Sequence, residues 1–354
     1  MNKKKTPVAI LGATGSVGQR FIEILHNHPW FEITALAASE RSAGKKYHEA
    51  VNWLMSTPLP PTIAEMTVSE CLPNLPATIA FSGLDASVAG DIELAFAKAG
   101  YIVHSNARNH RMNPDVPLLI PEVNPDHLAL IKLQLHKGKI VTNPNCSTIG
   151  LVMALKPLDD AFGIDQVHVV TLQAISGAGY PGVASLDIMD NVIPLIKGEE
   201  QKMETEPLKI LGKYSNGKIE PSKIRISAQC NRVAVNDGHM ECVSVKFKKK
   251  PTKEQIIEAW VNFRSEPQRL KLPTAPEKPI HYFHNENFPQ PKLHRQLEKG
   301  MALSIGRLRE CPLFDYKFTI LSHNTIRGAA GCAVLNAELL AGGAIELLTG
   351  GAIE

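Results

Sequence analysis

Short apolar runs alternate with stretches of helical period through the first 145 residues. Val8-Ala9-Ile10-Leu11 lies in a strand-like run over 6–11, and 17–26 follows as a helix with Phe21, Ile24 and Leu25 on one face. Apolar runs at 31–38, 78–81 and 101–104 read as further strands, with a helix around 91–99 between the last two. Strands separated by helices predict a parallel, doubly wound sheet, because each return to the same sheet edge needs a crossover. A short strand at 140–142 then leads into a helical stretch at 148–158.

Beyond residue 146 the pattern changes. Longer, more alternating runs at 166–175, 225–235 and 240–247 predict strands of a largely antiparallel sheet. Among them lie a helical stretch at 185–195 and a Pro/Lys/Glu-rich loop region at 267–291. The Ala- and Leu-rich segment 328–348 has helical spacing and predicts a helix that returns to the first domain. The expectation is an α/β chain. A Rossmann-type dinucleotide-binding domain would span 1–145, and an α+β second domain with a mainly antiparallel sheet 146–323. A C-terminal helical segment would span 324–354. At 354 residues, two domains of about 100–200 residues are the natural division.

Composition narrows the function classes. A formal charge of +3 is too small to imply a nucleic-acid partner, and the lysines of 246–250 read as the solvated end of a strand. No run approaches the ~20 apolar residues of a membrane span. The basic start (Met1-Asn2-Lys3-Lys4-Lys5) leads straight into a strand, with no long apolar signal region. A cytoplasmic protein without a membrane partner is therefore expected. Six dispersed cysteines with no C-x-x-C pair fit a reducing compartment and predict no metal site.

The most pointed local chemistry lies in the hexapeptide Asn143-Pro144-Asn145-Cys146-Ser147-Thr148. It places Cys146 between a strand and a helix, where backbone N–H groups and the helix dipole stabilise a thiolate and could hold an oxyanion. A buried structural cysteine after a turn would show the same spacing. A second motif, Gly12-Ala13-Thr14-Gly15-Ser16-Val17-Gly18, follows a strand and opens a helix, the context a dinucleotide-binding loop requires. Ser82 and Gly83, just past the 78–81 strand, are further cofactor-side positions. At the tip of the second strand, Ser39, Arg41 and Ser42 suit a 2′-phosphate and so favour NADP, with Glu40 the discordant residue.

Three clusters in the second half carry less specific signals. Gln173 opens a run ending in small residues, including Ser176 and Gly177, which allow close ligand approach but also suit a simple turn. Glu206 and Lys209 stand three apart, as a weak helical surface pair would. Arg232 precedes a glycine turn and then His239, which reads as a general base or as a structural histidine.

Taken together and in order, GATGSVG, SNARNHRMNPDVPLLIPEVN, NPNCST, QAISGAG, EPLK, RVAVNDGH and NTIRGAAG span nearly the whole chain. This array resembles the aspartate-semialdehyde dehydrogenase family, in particular its archaeal and fungal branch. The resemblance implies Cys146 as acyl-accepting nucleophile, His239 as its general acid/base and Gln173 as the amide that orients substrate. It implies Arg232 as the clamp on the substrate α-carboxylate and Glu206 as the partner of its amine. Lys209 and Arg111, with Asn106 beside them, match phosphate-binding positions, Arg111 being chosen over Arg108 because it directly precedes the MNPDVP run. Ser176 and Gly177 would line the nicotinamide side, and Asn324 would approach the carboxamide. The implied reaction is NADPH-dependent reductive dephosphorylation of L-4-aspartyl phosphate by a homodimer or homotetramer, in lysine, threonine, methionine and isoleucine biosynthesis. Malonyl-CoA reductase shares the scaffold, but malonyl has no amine for Glu206. N-acetylglutamyl-phosphate reductase shares the logic, but its acetylated nitrogen carries no charge. A non-catalytic NADP sensor would need neither Cys146 nor the Arg232/His239 pair.

Overall fold

The computed structural model describes residues 4–342. Strands β1 (Thr6–Leu11), β2 (Phe31–Ala38), β3 (Val68–Glu70), β4 (Ile79–Ser82), β5 (Ile102–Ser105) and β6 (Lys139–Thr142) form one sheet. Its order is β3-β2-β1-β4-β5-β6 and every pairing is parallel. That is the strand order of a dinucleotide-binding fold, whose ligand crevice opens beyond the carboxyl ends of the central strands. Helices cover both faces, so Val8 to Leu11 are fully buried, as central parallel strands require. The Ser16–Leu25 helix contributes Phe21, Ile22 and Leu25, and Phe21 packs against Phe81 of β4 at 5.1 Å between ring centroids. The Ala86–Ala99 helix starts on an Asp85 cap and stops at Gly100, whose φ of 107° only glycine adopts without strain.

The second sheet runs β10-β7-β11-β14-β13-β12. Its strands are β7 (Ile164–Gln173), β10 (Arg225–Arg232), β11 (His239–Phe247), β12 (Ile280–Phe283), β13 (Leu303–Glu310) and β14 (Tyr316–Ser322). The remaining strands, β8 (Lys213–Ser215) and β9 (Lys218–Glu220), pair only with each other. The three inner pairings of the large sheet are antiparallel, and the two outer ones, β10 on β7 and β12 on β13, are parallel. The Cys146–Phe162 helix shares a core with one face of this sheet, where Ile149, Leu151, Val152 and Leu155 join Val169, Val243 and Phe318. Every second residue of β11, from His239 to Phe247, is buried there.

After β14 the chain crosses back to the first sheet. A π-helical turn at Ile326–Ala330 runs into the Gly331–Ala341 helix. Its Ala333, Val334 and Ala337 share a core with Phe21, Phe31 and Phe81 of the first domain. The helix predicted at 328–348 is thus present up to Ala341, and its remainder lies outside the described residues. Arg327 and Glu122, both fully buried, form a two-point ion pair that ties the π turn to the first domain.

Two expectations fail. The helix expected at 185–195 is a single turn at Ser185–Ile188. Asp190 takes φ 56°, and Ile193 instead exchanges both backbone hydrogen bonds with Arg232. The loop region at 267–291 contains β12, because Ile280 finds Leu303 as a parallel partner far along the chain.

Candidate active site

Cys146 is the first residue of its helix, directly after the β6 turn. Its Sγ lies 3.2 Å from His239 Nε2, across 93 residues of sequence. The Ser147 and Thr148 amides both donate to the Asn145 side chain, at 3.0 and 3.2 Å. Those two donors therefore cap the helix and are not open to an oxyanion, contrary to the reading of this junction from sequence. Burial, with the Glu199 charge adding to it, pushes the Cys146 thiol up to about 12, while Lys202, Arg232 and Arg111 pull it down. The resting sulfur is a thiol, and the thiolate expected from the junction forms only when the surroundings change.

The histidine is equally constrained. His239 is fully buried at the start of β11, and its Nδ1 accepts the Ala174 N–H at 3.0 Å. An N–H donor at Nδ1 leaves the proton of the neutral ring on Nε2, the nitrogen that faces sulfur. Burial first, then Arg232 and His323, hold His239 well below the ordinary imidazole range. With Nδ1 taking the Ala174 N–H, the neutral imidazole presents Nε2–H to the Cys146 sulfur.

Arg232 ends β10 and donates through Nη1 to Ala174 O at 2.7 Å, so Ala174 anchors both cationic and imidazole groups. Gly177 lies over them without touching. A Cβ there would come within 2.8 Å of Arg232 Nη1 and 3.1 Å of His239 Nε2. Ser176 Oγ accepts from Asn324 Nδ2 at 2.8 Å, and Asn324 Oδ1 accepts the Gly238 N–H at 2.8 Å. The segment after β14 thereby joins the 175–178 turn to the turn before His239.

A second group of predicted residues is brought together on the other side of Cys146. Glu206 is buried, with Oε1 on Arg111 Nη1 at 2.8 Å and Oε2 on the Asn145 N–H at 2.7 Å. Arg111 Nη2 donates to Asn106 O at 2.8 Å, while its Nε is buried without a partner among the described residues. Arg108 is exposed, so Arg111 is the arginine of this loop that reaches the site. Lys209 Nζ donates to three loop carbonyls, of Arg111, Asn113 and Val116, at 2.7–2.8 Å. Its burial lowers its pKa to about 8. All three of its protons hold the loop that carries Arg111. The Asn106 side chain bridges Ser82 O and Asn143.

One participant was missed from the sequence. Glu199, first residue of the Glu199–Ile210 helix, accepts from Asn145 Nδ2 at 2.7 Å and Gln173 Nε2 at 3.4 Å, and pairs with Lys202. Its signal was the spacing of seven to Glu206, two helical turns that put both acids on one face.

The glycine loop fits a dinucleotide. Gly12, at φ 74°, packs on Gly83, whose O would lie 2.9 Å from an added Cβ. At Gly18 a Cβ would come within 2.7 Å of Ala13 Cα, so only glycine lets helix and strand approach this closely. Gly15 caps the helix with no side-chain bond, which leaves its N-terminus open to an anion. Thr14, Ser16 and Val17 are part-exposed around it, and Ser39 and Arg41 stand exposed at the tip of β2 with Ser42 beside them. Ser82 departs from expectation: its hydroxyl is buried and donates to Glu93 at 2.6 Å, so only the Gly83 backbone meets the loop.

A parallel dinucleotide-type sheet joined to a half-buried cysteine beside a buried histidine defines an oxidoreductase that works through a thiol. Two family models cover most of the chain: "Semialdehyde dehydrogenase, NAD binding domain" at residues 7–131 and "Semialdehyde dehydrogenase, dimerisation domain" at residues 155–327. The chain belongs to the aspartate-semialdehyde dehydrogenase family. The enzyme of that name from Schizosaccharomyces pombe is 51% identical over 345 residues, covering 94% of this chain and 97% of that protein. The Archaeoglobus fulgidus enzyme is 50% identical over 338 residues, with the same shares covered. A crystal structure of aspartate semialdehyde dehydrogenase with NADP from Candida albicans superposes with a TM-score of 0.89 at 45% identity, over 96% of this chain and 99% of that one. A Vibrio cholerae aspartate semialdehyde dehydrogenase II, complexed with ASA, gives 0.76 at 28% identity over the same shares. These matches support the family's reaction over malonyl-CoA reduction or nucleotide sensing.

Proposed function

We propose that this protein reduces L-4-aspartyl phosphate to L-aspartate 4-semialdehyde with NADPH, through a thioester on Cys146. The observation that carries the reading is the 3.2 Å approach of Cys146 Sγ to His239 Nε2, with Arg232 held beside it on Ala174. Gly12, Gly15 and Gly18 would hold the pyrophosphate, with Thr14, Ser16 and Val17 in the same turn, and Ser39, Arg41 and Ser42 the 2′-phosphate. Ser176, Gly177 and Asn324 would flank the nicotinamide. When bound, NADPH supplies the hydride.

The chain's own groups do the rest. Arg232 takes the substrate α-carboxylate, since only its Nη1 is engaged within the described residues. Arg111, with Nε still open, takes phosphate, and Lys209 serves that site by fixing the Arg111 loop. Glu206 meets the amine beside its Arg111 contact, and Gln173 orients the substrate near Cys146. Sγ bonds to the acyl carbon as the C–O bond to phosphate breaks, and the thiol proton leaves on the phosphate. The neutral His239 Nε2–H then hydrogen-bonds the oxyanion of the reduced thioester and keeps its proton. Collapse of that alkoxide breaks the C–S bond to give aldehyde and thiolate, and the sulfur takes a proton from solvent.

The reading includes a homodimer or homotetramer acting on a small-molecule substrate in the cytoplasm, without nucleic-acid or membrane partners; the dimerisation-domain match supports its self-association. None of the helices among the described residues is long and apolar enough to cross a membrane. Cys146→Ser tests the chemistry through phosphate-dependent reduction of NADP⁺ by aspartate semialdehyde. The expected loss is about 10³-fold or more. Turnover within about tenfold of the parent would remove the covalent step.

A further inference from the structure

Glu199 touches both amides that flank the nucleophile. A carboxylate only accepts hydrogen bonds, whereas an Asn or Gln amide can turn over and exchange its oxygen for its nitrogen with little change of shape. Facing Glu199 Oε2, Asn145 must present Nδ2, at 2.7 Å. Its Oδ1 is thereby aimed at the Ser147 and Thr148 amides, which start the Cys146 helix. The same oxygen draws Gln173 Nε2, at 3.4 Å, and Thr171 Oγ1 takes that nitrogen from the other side at 3.3 Å. Gln173 Oε1 is left as the atom of that amide without a partner among the described residues. The second carboxylate oxygen is held by Lys202, so the acid cannot easily rotate away.

We propose that Glu199 is a positioning residue that fixes the rotation of both amides, seating the Cys146 helix and offering substrate a hydrogen-bond acceptor at Gln173. The inference rests on the catalytic reading above, because an acceptor at Gln173 matters only if substrate binds there. It also selects the substrate: the group that meets Gln173 must carry an N–H or O–H donor, such as an ammonium. Geometry and charge act in opposite directions at this residue. The carboxylate orders the site, yet its negative charge disfavours the thiolate 146 must form, an effect Lys202 opposes. A residue kept only for packing would show neither effect.

That opposition supplies the test. Glu199→Gln retains the size, removes the charge and can donate as well as accept. Iodoacetamide alkylation of Cys146 should then titrate at lower pH and run severalfold faster at a fixed pH below the thiol pKa, as a smaller ionisation cost requires. In the same variant kcat should fall about tenfold or more, with KM for the semialdehyde changed less than about threefold. Glu199→Asp keeps both charge and acceptor-only character, so its alkylation profile should follow the parent's and its kcat should exceed that of the glutamine variant. A glutamine variant with the parent's kcat, or with the parent's alkylation profile, would overturn the proposal. So would an aspartate variant no more active than the glutamine one when both melt like the parent. If the glutamine variant does not fold, the aspartate variant decides: kcat within about tenfold of the parent supports the role, and a larger loss removes it. A parent that alkylates but never turns over would count against the catalytic reading itself, which separates the two failures.

Discussion

Gly177→Ala adds one methyl group against the Arg232 and His239 side chains. The new Cβ would lie 2.8 Å from Arg232 Nη1, 3.0 Å from His239 Cε1 and 3.1 Å from His239 Nε2. Ordinary contacts begin at 3.4 Å, so the arginine contact is short by about 0.6 Å and the imidazole contacts by about 0.3–0.4 Å. Neither neighbour is free to yield. Arg232 is tied by Nη1 to Ala174 O, and His239 by Nδ1 to the Ala174 N–H, three residues before the substitution. Relief must come from shifting the 174–178 turn or from lengthening the 3.2 Å approach of His239 to Cys146.

Misplacing a reacting group by about 1 Å lowers rates roughly 10²-fold, so a shift of about half that distance should reduce kcat/KM by about tenfold, or ~1.4 kcal/mol. The backbone at Gly177 does not lie in the left-handed region, so alanine adds no conformational strain there. The residue is exposed, which keeps the expected change in stability within about 1 kcal/mol. Steady-state kinetics in the phosphate-dependent direction, with a thermal melt of the same preparation, measure both. A variant with kcat/KM within twofold of the parent would show that the contacts around Gly177 do not govern the reaction.

Two further changes test the site and its foundation. Arg232→Lys keeps the charge but loses the planar fork, and kcat/KM should fall about 10²-fold, equivalent to ~2–3 kcal/mol, with an unchanged value refuting the clamp. Glu241, two residues after His239, is fully buried with neither carboxylate oxygen partnered among the described residues, and burial raises its pKa well above 4.5. Below that value both folded and unfolded chains hold the proton. Above it the unfolded chain releases the proton while the folded one keeps it, so stability falls by ~1.4 kcal/mol per pH unit until the folded group ionises. Glu241→Gln removes this loss, and urea unfolding across a pH series should show the variant gaining on the parent as pH rises from 4.5; a gap independent of pH would contradict a neutral buried acid.

The first sheet was legible because parallel strands buried on both faces leave continuous apolar runs, such as Val8 to Leu11, bounded by a glycine turn with its own function. The helix misread at 185–195 shows the limit of periodicity. Leu186, Met189, Val192 and Leu195 recur every three residues, close to the spacing of a buried stripe, yet all four are exposed, and Ile193 is held by the backbone of Arg232. Spacing reports what a segment could bury. It does not report whether anything covers it.

The polar site was legible as a set of residues but not as a set of bonds. Motif positions located Lys209, Glu206 and Arg111, and the resemblance implied direct contact with the substrate's phosphate and amine. The fold uses those charges on itself: Lys209 caps three carbonyls some 93–98 residues away, and Glu206 joins Arg111 to the amide that precedes Cys146. Long-range pairings of this kind have no period, so no local pattern announces them. They also change what each residue can do. An ammonium with three carbonyl partners is a clasp on the loop that carries Arg111. A neutral imidazole with its Nδ1 occupied presents Nε2–H as a donor. The reaction class follows from the residue types, whereas the direction of each proton follows from which atoms the backbone has already engaged.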